Sequence, residues 1–169
     1  MAISLASLRT SAQRYTRSRY LNFSEAKARG RTGFLSHSHK DADLVRGFIQ
    51  QLRESGLDLY VDWEDQQMPD VPDRTTAARI QQAIVQTEFF LFLATPNSTA
   101  SRWCPWEIGY ADGRKPNDKI FVVPTVDGSG THYGNEYLQL YRRIDSPSYG
   151  TLLEFTEPGR VYGLGVSRL

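Results

Sequence analysis

From Phe89 to Ala94 every position is apolar, the densest hydrophobic run in the chain. Such a run predicts a strand buried on both faces, at the centre of a parallel sheet. Shorter runs predict three companions: Thr32 to Ser38, Leu57 to Asp62 and Ile120 to Val123. Between the strands the apolar spacing becomes helical. Leu44, Val45, Phe48, Ile49 and Leu52 share one face, predicting a helix from about Ala42 to Ser55. Asp41 is its candidate N-cap and Gly56 its stop. Ala77, Ile80 and Ile84 repeat the pattern after Asp73, a second candidate cap. A third helix should begin near Arg102, with Pro105 in a first turn that tolerates it and Cys104, Ile108 and Ala111 as its core stripe.

Four strands alternating with helices predict an α/β fold: a flavodoxin-like, doubly wound parallel sheet in a three-layer sandwich. In such sheets ligands bind beyond the carboxyl ends of the strands. His37-Ser38, Asp62-Trp63 and Pro96-Asn97-Ser98 all fall at predicted strand ends.

The flanks read differently. Residues 1–30 form an N-terminal helical extension, with Leu5, Leu8, Ala12 and Tyr15 at helical spacing. The segment is rich in arginine and has no acid before Glu25. That composition also suits a transit peptide, but the expectation is a helix lying on the domain or on a partner. Residues 31–169 form one domain, with a C-terminal extension from about residue 127. There, Asp127 to Gly130 reads as a loop and Tyr137 to Ile144 as a helix. Thr151 to Phe155 and Arg160 to Val166 read as two short strands of a hairpin.

Composition narrows the function classes. The 169 residues, 40% hydrophobic and 23% charged, suit a single globular domain. A formal net charge of +1 gives no basis for bulk nucleic-acid binding. No apolar run approaches the roughly 20 residues of a membrane span. One cysteine leaves no intramolecular disulfide, and the expected setting is the reducing cytoplasm.

Trp103 and Glu107 stand at i and i+4, stacked on one helical face. The pair places one carboxylate beside one indole near a helix N-terminus, whose partial positive charge favours the ionised acid. A fixed anion against an aromatic wall suits a cationic, ring-bearing substrate. Ordinary packing is the competing reading of the same residues. His37-Ser38-His39-Lys40-Asp41 has H-x-H-x-D spacing, yet 3 histidines in all are too few for a binuclear site, and no metal is expected. Gly128-Ser129-Gly130 lacks the Lys-Ser/Thr of a P-loop, and no G-x-S-x-G elbow is present.

Taken together the chain resembles a TIR (Toll/interleukin-1 receptor) domain of the stand-alone bacterial kind. Phe34-Leu35-Ser36-His37-Ser38-His39-Lys40-Asp41 looks like the family's first box. Leu59-Tyr60-Val61-Asp62 is similar to its second strand, and the Pro69–Pro72 segment to its BB loop. Ser101-x-Trp103-Cys104-x-x-Glu107 matches the S-x-W-C-x-x-E segment of enzymatic members. The resemblance covers about Thr32 to Val126.

It implies cleavage of the nicotinamide–ribose bond of NAD+, as substrate and with no cofactor, giving ADP-ribose or a cyclic or modified ADP-ribose. The catalytic glutamate would be Glu107. Trp103, Asp62, Ser36, His37 and Ser38 would contact substrate, with Trp63 a further candidate whose other reading is packing. Relatives that carry arginine after the first strand have Ser38 and His39 here. The resemblance also implies TIR–TIR self-association and, as in Thoeris anti-phage systems, a separate effector reached through a nucleotide product. Neither nucleic acid nor membrane is an expected partner. Two other readings remain: a non-catalytic TIR–TIR interaction module, and a nucleoside deoxyribosyltransferase-like enzyme that also sets a glutamate on an N-glycosidic bond.

Overall fold

The computed structural model describes residues 1–16, 22–61, 73–146 and 153–169. Asp62, Trp63 and the Pro69–Pro72 segment lie outside the described residues.

A short strand β1 (Ile3–Ser4) leads into α1 (Leu5–Ala12), and α2 (Phe23–Ala28) precedes β2 (Thr32–Ser36). Then come α3 (Ala42–Glu54), β3 (Tyr60–Val61), α4 (Arg74–Gln86), β4 (Phe89–Ala94), the single-turn α5 (Pro96–Thr99) and α6 (Cys104–Asp112). The chain continues through β5 (Ile120–Val126), β6 (His132–Tyr133), β7 (Arg142–Asp145), β8 (Glu154–Thr156) and β9 (Leu164–Gly165). The sheet runs β3-β2-β4-β5-β7-β8-β9, with β1 and β6 added to the end of β5. Its first five strands are parallel. Taken in chain order they stand 2-1-3-4-5, the flavodoxin-like arrangement, whose direction of winding reverses between β2 and β4.

All six residues of β4 are buried, because strands flank both its edges and helices cover both its faces. Alternate side chains feed two cores. Leu35, Leu91, Leu93, Phe121 and Val123 meet α1 and α3 on one face. Phe34, Phe90, Phe92 and Val122 meet α4 and α6 on the other. That alternation gives the three layers.

Local chemistry explains the helix boundaries. Asp73 caps α4 by accepting from the Thr76 amide at 2.8 Å. Gly56 ends α3 at φ +89°, the left-handed conformation glycine adopts without a Cβ penalty, and the Leu57 amide reaches back to the Leu52 carbonyl.

The N-terminal segment is built into the core. Leu5 and Leu8 join Val45 and Phe48 in one cluster. Gly47 lets α1 approach so closely that a Cβ there would lie 1.9 Å from the Leu8 carbonyl oxygen.

Two expectations need correction. The stretch from Tyr137 to Ile144 is not one helix. A 3-10 turn over Glu136–Leu140 is followed by β7, which pairs with β5. Leu138 and Tyr141 enter the α6 core while Ile144 enters the opposite one. An apolar spacing of three that resembles a helix face is here split between two sides of a sheet. Asp41 precedes α3 but makes no side-chain cap there; its carboxylate is engaged elsewhere, as described below. The two C-terminal strands do pair antiparallel, as β8 and β9.

Candidate active site

The carboxyl ends of β2 and β4 meet where the winding reverses, and four segments bring polar side chains there. β2 ends in Ser36, whose side chain points toward the α6 layer, on the face that carries Phe34. α6 starts at Cys104, with Trp103 as its N-cap residue and Pro105 in its first turn. The Glu107 amide donates to the Trp103 carbonyl at 2.9 Å, so the two residues stand one turn apart. Cys104, Ile108 and Ala111 face the core as the spacing predicts. Glu107 is also turned inward, only 2% exposed.

Its partner is Ser36, whose hydroxyl donates to Glu107 Oε2 at 2.5 Å. Burial raises the carboxyl pKa to about 7, against the lowering effect of the Ser36 hydrogen bond. A helix N-terminus contributes ~0.3–1 kcal/mol toward the ionised form. Burial contributes the larger, opposite amount and decides the outcome. The expected bias toward a permanently ionised acid is therefore replaced by a carboxyl poised near neutrality.

The Cys104 thiol is pushed up to about 11 by burial and by the neighbouring Glu107 charge. It stays protonated at neutral pH, which removes it as a nucleophile.

His37 and Ser38 follow Ser36. His37 is half-buried, and desolvation lowers its pKa to about 4 against the attraction of Asp41, so it is neutral at physiological pH. Ser38 is buried, and its hydroxyl accepts from the Lys40 amide at 3.4 Å across the turn that leads into α3. His39 is exposed. Among the described residues no group of three or more His, Cys, Asp or Glu side chains is placed to hold a metal.

Sequence reasoning assigned Asp41 to a cap and missed its role as a clamp. The residue is 3% exposed. Thr95 Oγ1 donates to Asp41 Oδ2 at 2.5 Å and Asn97 Nδ2 to Oδ1 at 2.6 Å. Thr95 and Ser98 also form a capping box at the start of α5. The Thr95-x-x-Ser98 spacing was a readable signal for that turn. Nothing in the local sequence ties it to Asp41.

Trp103 is half-buried against the α6 core, and its ring meets Trp106 edge-on at 5.6 Å. Trp106 in turn stacks on Tyr110 at 6.0 Å. Of the candidate residues, Ser36, His37 and Ser38 stand at the end of β2, and Trp103 and Glu107 at the start of α6, with Ser36 and Glu107 in direct contact. Asp62 and Trp63 lie outside the described residues.

The TIR domain family profile matches residues 34–148. The chain belongs to the TIR domain family. Its curated relatives include ThsB' of Bacillus cereus (strain MSX-D12), named as a probable 3' cyclic ADP-D-ribose synthase. The two are 34% identical over 128 residues, covering 73% of this chain and 64% of the relative. TIR2 of Cytobacillus dafuensis, named on a similarly provisional footing as a cyclic ADP-D-ribose synthase, is 27% identical over 97 residues, or 56% of this chain and 25% of the relative. The chain therefore spans less than two thirds of the length of either. The matched region begins in β2 and takes in the first box, the Asp41 clamp and the whole of α6 in this TIR domain.

Proposed function

We propose that this TIR domain cleaves the bond between nicotinamide and ribose in NAD+, with Glu107 as the catalytic carboxylate. The observation that carries the reading is Glu107 itself: a buried carboxyl, held by Ser36 at the carboxyl end of β2, in a TIR domain similar to proteins named as cyclic ADP-D-ribose synthases.

The chemistry asks for one acid. As the C1'–N bond breaks, its electron pair passes to the ring nitrogen, which quenches the positive charge of the pyridinium. Nicotinamide leaves neutral, so no proton donor is needed; glycosidases that expel an oxygen need a second carboxyl for that purpose. The ribose ring becomes cationic. Glu107 opposes that charge and accepts hydrogen bonds from the ribose hydroxyls. Opposite unit charges ~4 Å apart attract by ~4 kcal/mol at an effective dielectric of ~20. Only the part that grows toward the transition state speeds the reaction. Trp103 offers a wall for the nicotinamide ring. Ser36 holds the carboxylate and His37 and Ser38 supply polar contacts; Asp62 and Trp63, outside the described residues, are further candidates, with packing the other reading of Trp63. Water captures the ribosyl cation, giving up a proton to the Glu107 carboxylate, to yield ADP-ribose; a hydroxyl of the ADP moiety does so in the same way, or a ring nitrogen with no proton to lose, to yield a cyclic product.

Glu107 is nearly closed off from solvent, so cleavage requires a rearrangement that opens a path from the rim. Self-association through TIR–TIR contacts is the proposed cause. The product serves as a nucleotide signal to a separate effector protein in cytoplasmic anti-phage defence. No helix among the described residues is long and apolar enough to cross a membrane.

The test is incubation of the purified protein with NAD+ over a range of protein concentrations, with mass spectrometry of the products and Glu107→Gln as control. Nicotinamide release that falls at least ~10²-fold in the folded Gln variant supports the proposal. Equal release by both proteins would sink the role of Glu107. The burial of Glu107 also favours a second reading, a non-catalytic module that works by TIR–TIR assembly. Self-association with no NAD+ loss at any concentration would select that reading.

A further inference from the structure

A cavity of about 810 Å³ opens over β7 and β8 on the α6 side of the sheet. Its floor follows from register. Arg143 is paired with Thr156, and Asp145 with Glu154, so these four side chains leave the same face. Arg143 also stands opposite Val122, which belongs to the α6 core, whereas Ile144 points into the other layer. The wall is the segment from His132 to Gln139, and the mouth is the turn from Pro158 to Tyr162. Leu138 of that wall packs with Cys104 and Ile108, so the wall stands between the cavity and α6.

Besides the Met1 ammonium, three kinds of group line this space. Two are guanidinium donors. Arg143 reaches Asp145 only at 3.7 Å and the Arg160 carbonyl only at 3.4 Å. Neither contact uses the parallel two-bond geometry that arginine adopts on a carboxylate or phosphate. Arg160 is exposed at the rim. Two more are carboxylates, Asp145 and Glu154. Asp145 is 5% exposed and faces the Met1 ammonium at 3.5 Å; burial raises its pKa against that charge. Last are aromatic rings. Tyr133 is oriented by donating its hydroxyl to Asp127 at 2.8 Å. Tyr162 is 91% exposed beside Val161 at 84%, an unusual exposure for an adjacent ring and branched side chain.

Each simple ligand class meets an obstacle here. A bare anion would satisfy the arginines and be repelled by the carboxylates. An apolar molecule would strip water from both kinds of charge and return no hydrogen bond. A ligand with phosphate oxygens, hydroxyl donors and a flat ring answers all three. We propose that this cavity is a binding site for a nucleoside diphosphate, separate from the Glu107 crevice. Phosphates lie on Arg143 and Arg160, ribose hydroxyls donate to Asp145 and Glu154, and the base stacks on Tyr133 or Tyr162. The volume falls in the ~300–1,000 Å³ range of small-molecule sites, and a floor of paired strands holds the groups in place before binding. The site does not depend on the NAD+ reading, because ADP has no nicotinamide bond to cleave.

The experiment is calorimetric titration of the wild-type chain with ADP, and separately with inorganic pyrophosphate. The expected result is one strong ADP site per chain, weakened ~10-fold or more by Arg143→Gln and by Arg160→Glu. Trp103→Ala, at the other crevice, should change it less than ~2-fold. Pyrophosphate should bind at least ~10-fold more weakly than ADP. Arg160 is exposed, so its variant keeps the fold; circular dichroism checks Arg143→Gln. Absence of ADP binding at millimolar concentration, binding untouched by both arginine changes, loss in Trp103→Ala, or equal affinity for pyrophosphate would each overturn the proposal.

Discussion

The Ser36 hydroxyl donates to Glu107 Oε2 across 2.5 Å, joining residues 71 positions apart. This bond and the burial around it set opposite pressures on one proton. Burial lifts the carboxyl pKa to about 7, and Ser36 restrains the rise.

The first expectation concerns stability. A raised acid pKa means that the folded chain binds the proton more tightly than the unfolded one. Between about pH 4.5 and pH 7 stability therefore falls as pH rises, and above that it levels off. The rise from 4.5 to about 7 corresponds to about 3 kcal/mol by pH 8. Glu107→Gln removes the charge that is costly to bury. It should be more stable than wild type by ~1–3 kcal/mol at pH 8, with the difference vanishing near pH 5. Urea denaturation at both pH values measures this. A stability difference that does not change with pH would contradict it.

A second expectation follows for turnover. The proposed reaction uses the carboxylate, so kcat/KM should rise with pH through about 7 and then reach a plateau. Ser36→Ala removes the bond that favours the charged form. The midpoint should move to higher pH by about one unit or more, since hydrogen bonds to charged groups contribute ~1.5–3 kcal/mol. The plateau should stay within ~3-fold of wild type, because burial and α6 still hold the acid in place. A lowered plateau with an unmoved midpoint would show that Ser36 acts only through structure.

Asp41 and Thr95 should be energetically coupled. Removing either leaves buried polar atoms of the other unsatisfied, at a cost of ~1–3 kcal/mol. In a double-mutant cycle, Asp41→Ala and Thr95→Val together should destabilise by less than their sum, with a coupling of at least ~1 kcal/mol. Additive effects would mean that the 2.5 Å contact does not join the turn after β2 to the turn after β4.

Gly47→Ala should undock α1. The added Cβ meets backbone at 1.9 Å, and no side-chain rotation can relieve that. The cost should be ~3 kcal/mol or more, since backbone must shift in a packed core. Limited proteolysis should then cut within residues 1–16 far faster than in wild type, while cleavage within β4 stays slow. Equal protection of α1 in both proteins would refute the close approach.

Much of this was legible in one dimension. Phe89 to Ala94 read as a central strand because burial on both faces leaves no polar position. Leu44, Val45, Phe48, Ile49 and Leu52 read as a helix face because core contact repeats every turn, and Asp73 as a cap because its bond closes within three residues. The Trp103–Glu107 relation is equally local, one turn of α6.

What escaped the sequence is what depends on distant partners. Leu138, Tyr141 and Ile144 carried a helix-like spacing, but pairing of β7 with β5 sent them to opposite layers. Asp41 had the chemistry of a cap, and Thr95 and Asn97 claimed it instead.

By itself, then, the sequence determined the alternation of strands and helices and the chemical types at the strand ends, because backbone periodicity and helix caps act over a few residues. Only the tertiary structure decided that Glu107 is enclosed, that Ser36 is its partner and that its proton sits near neutrality. Those properties come from water excluded by segments far apart in the chain, and no local pattern records how many of them will close over one side chain.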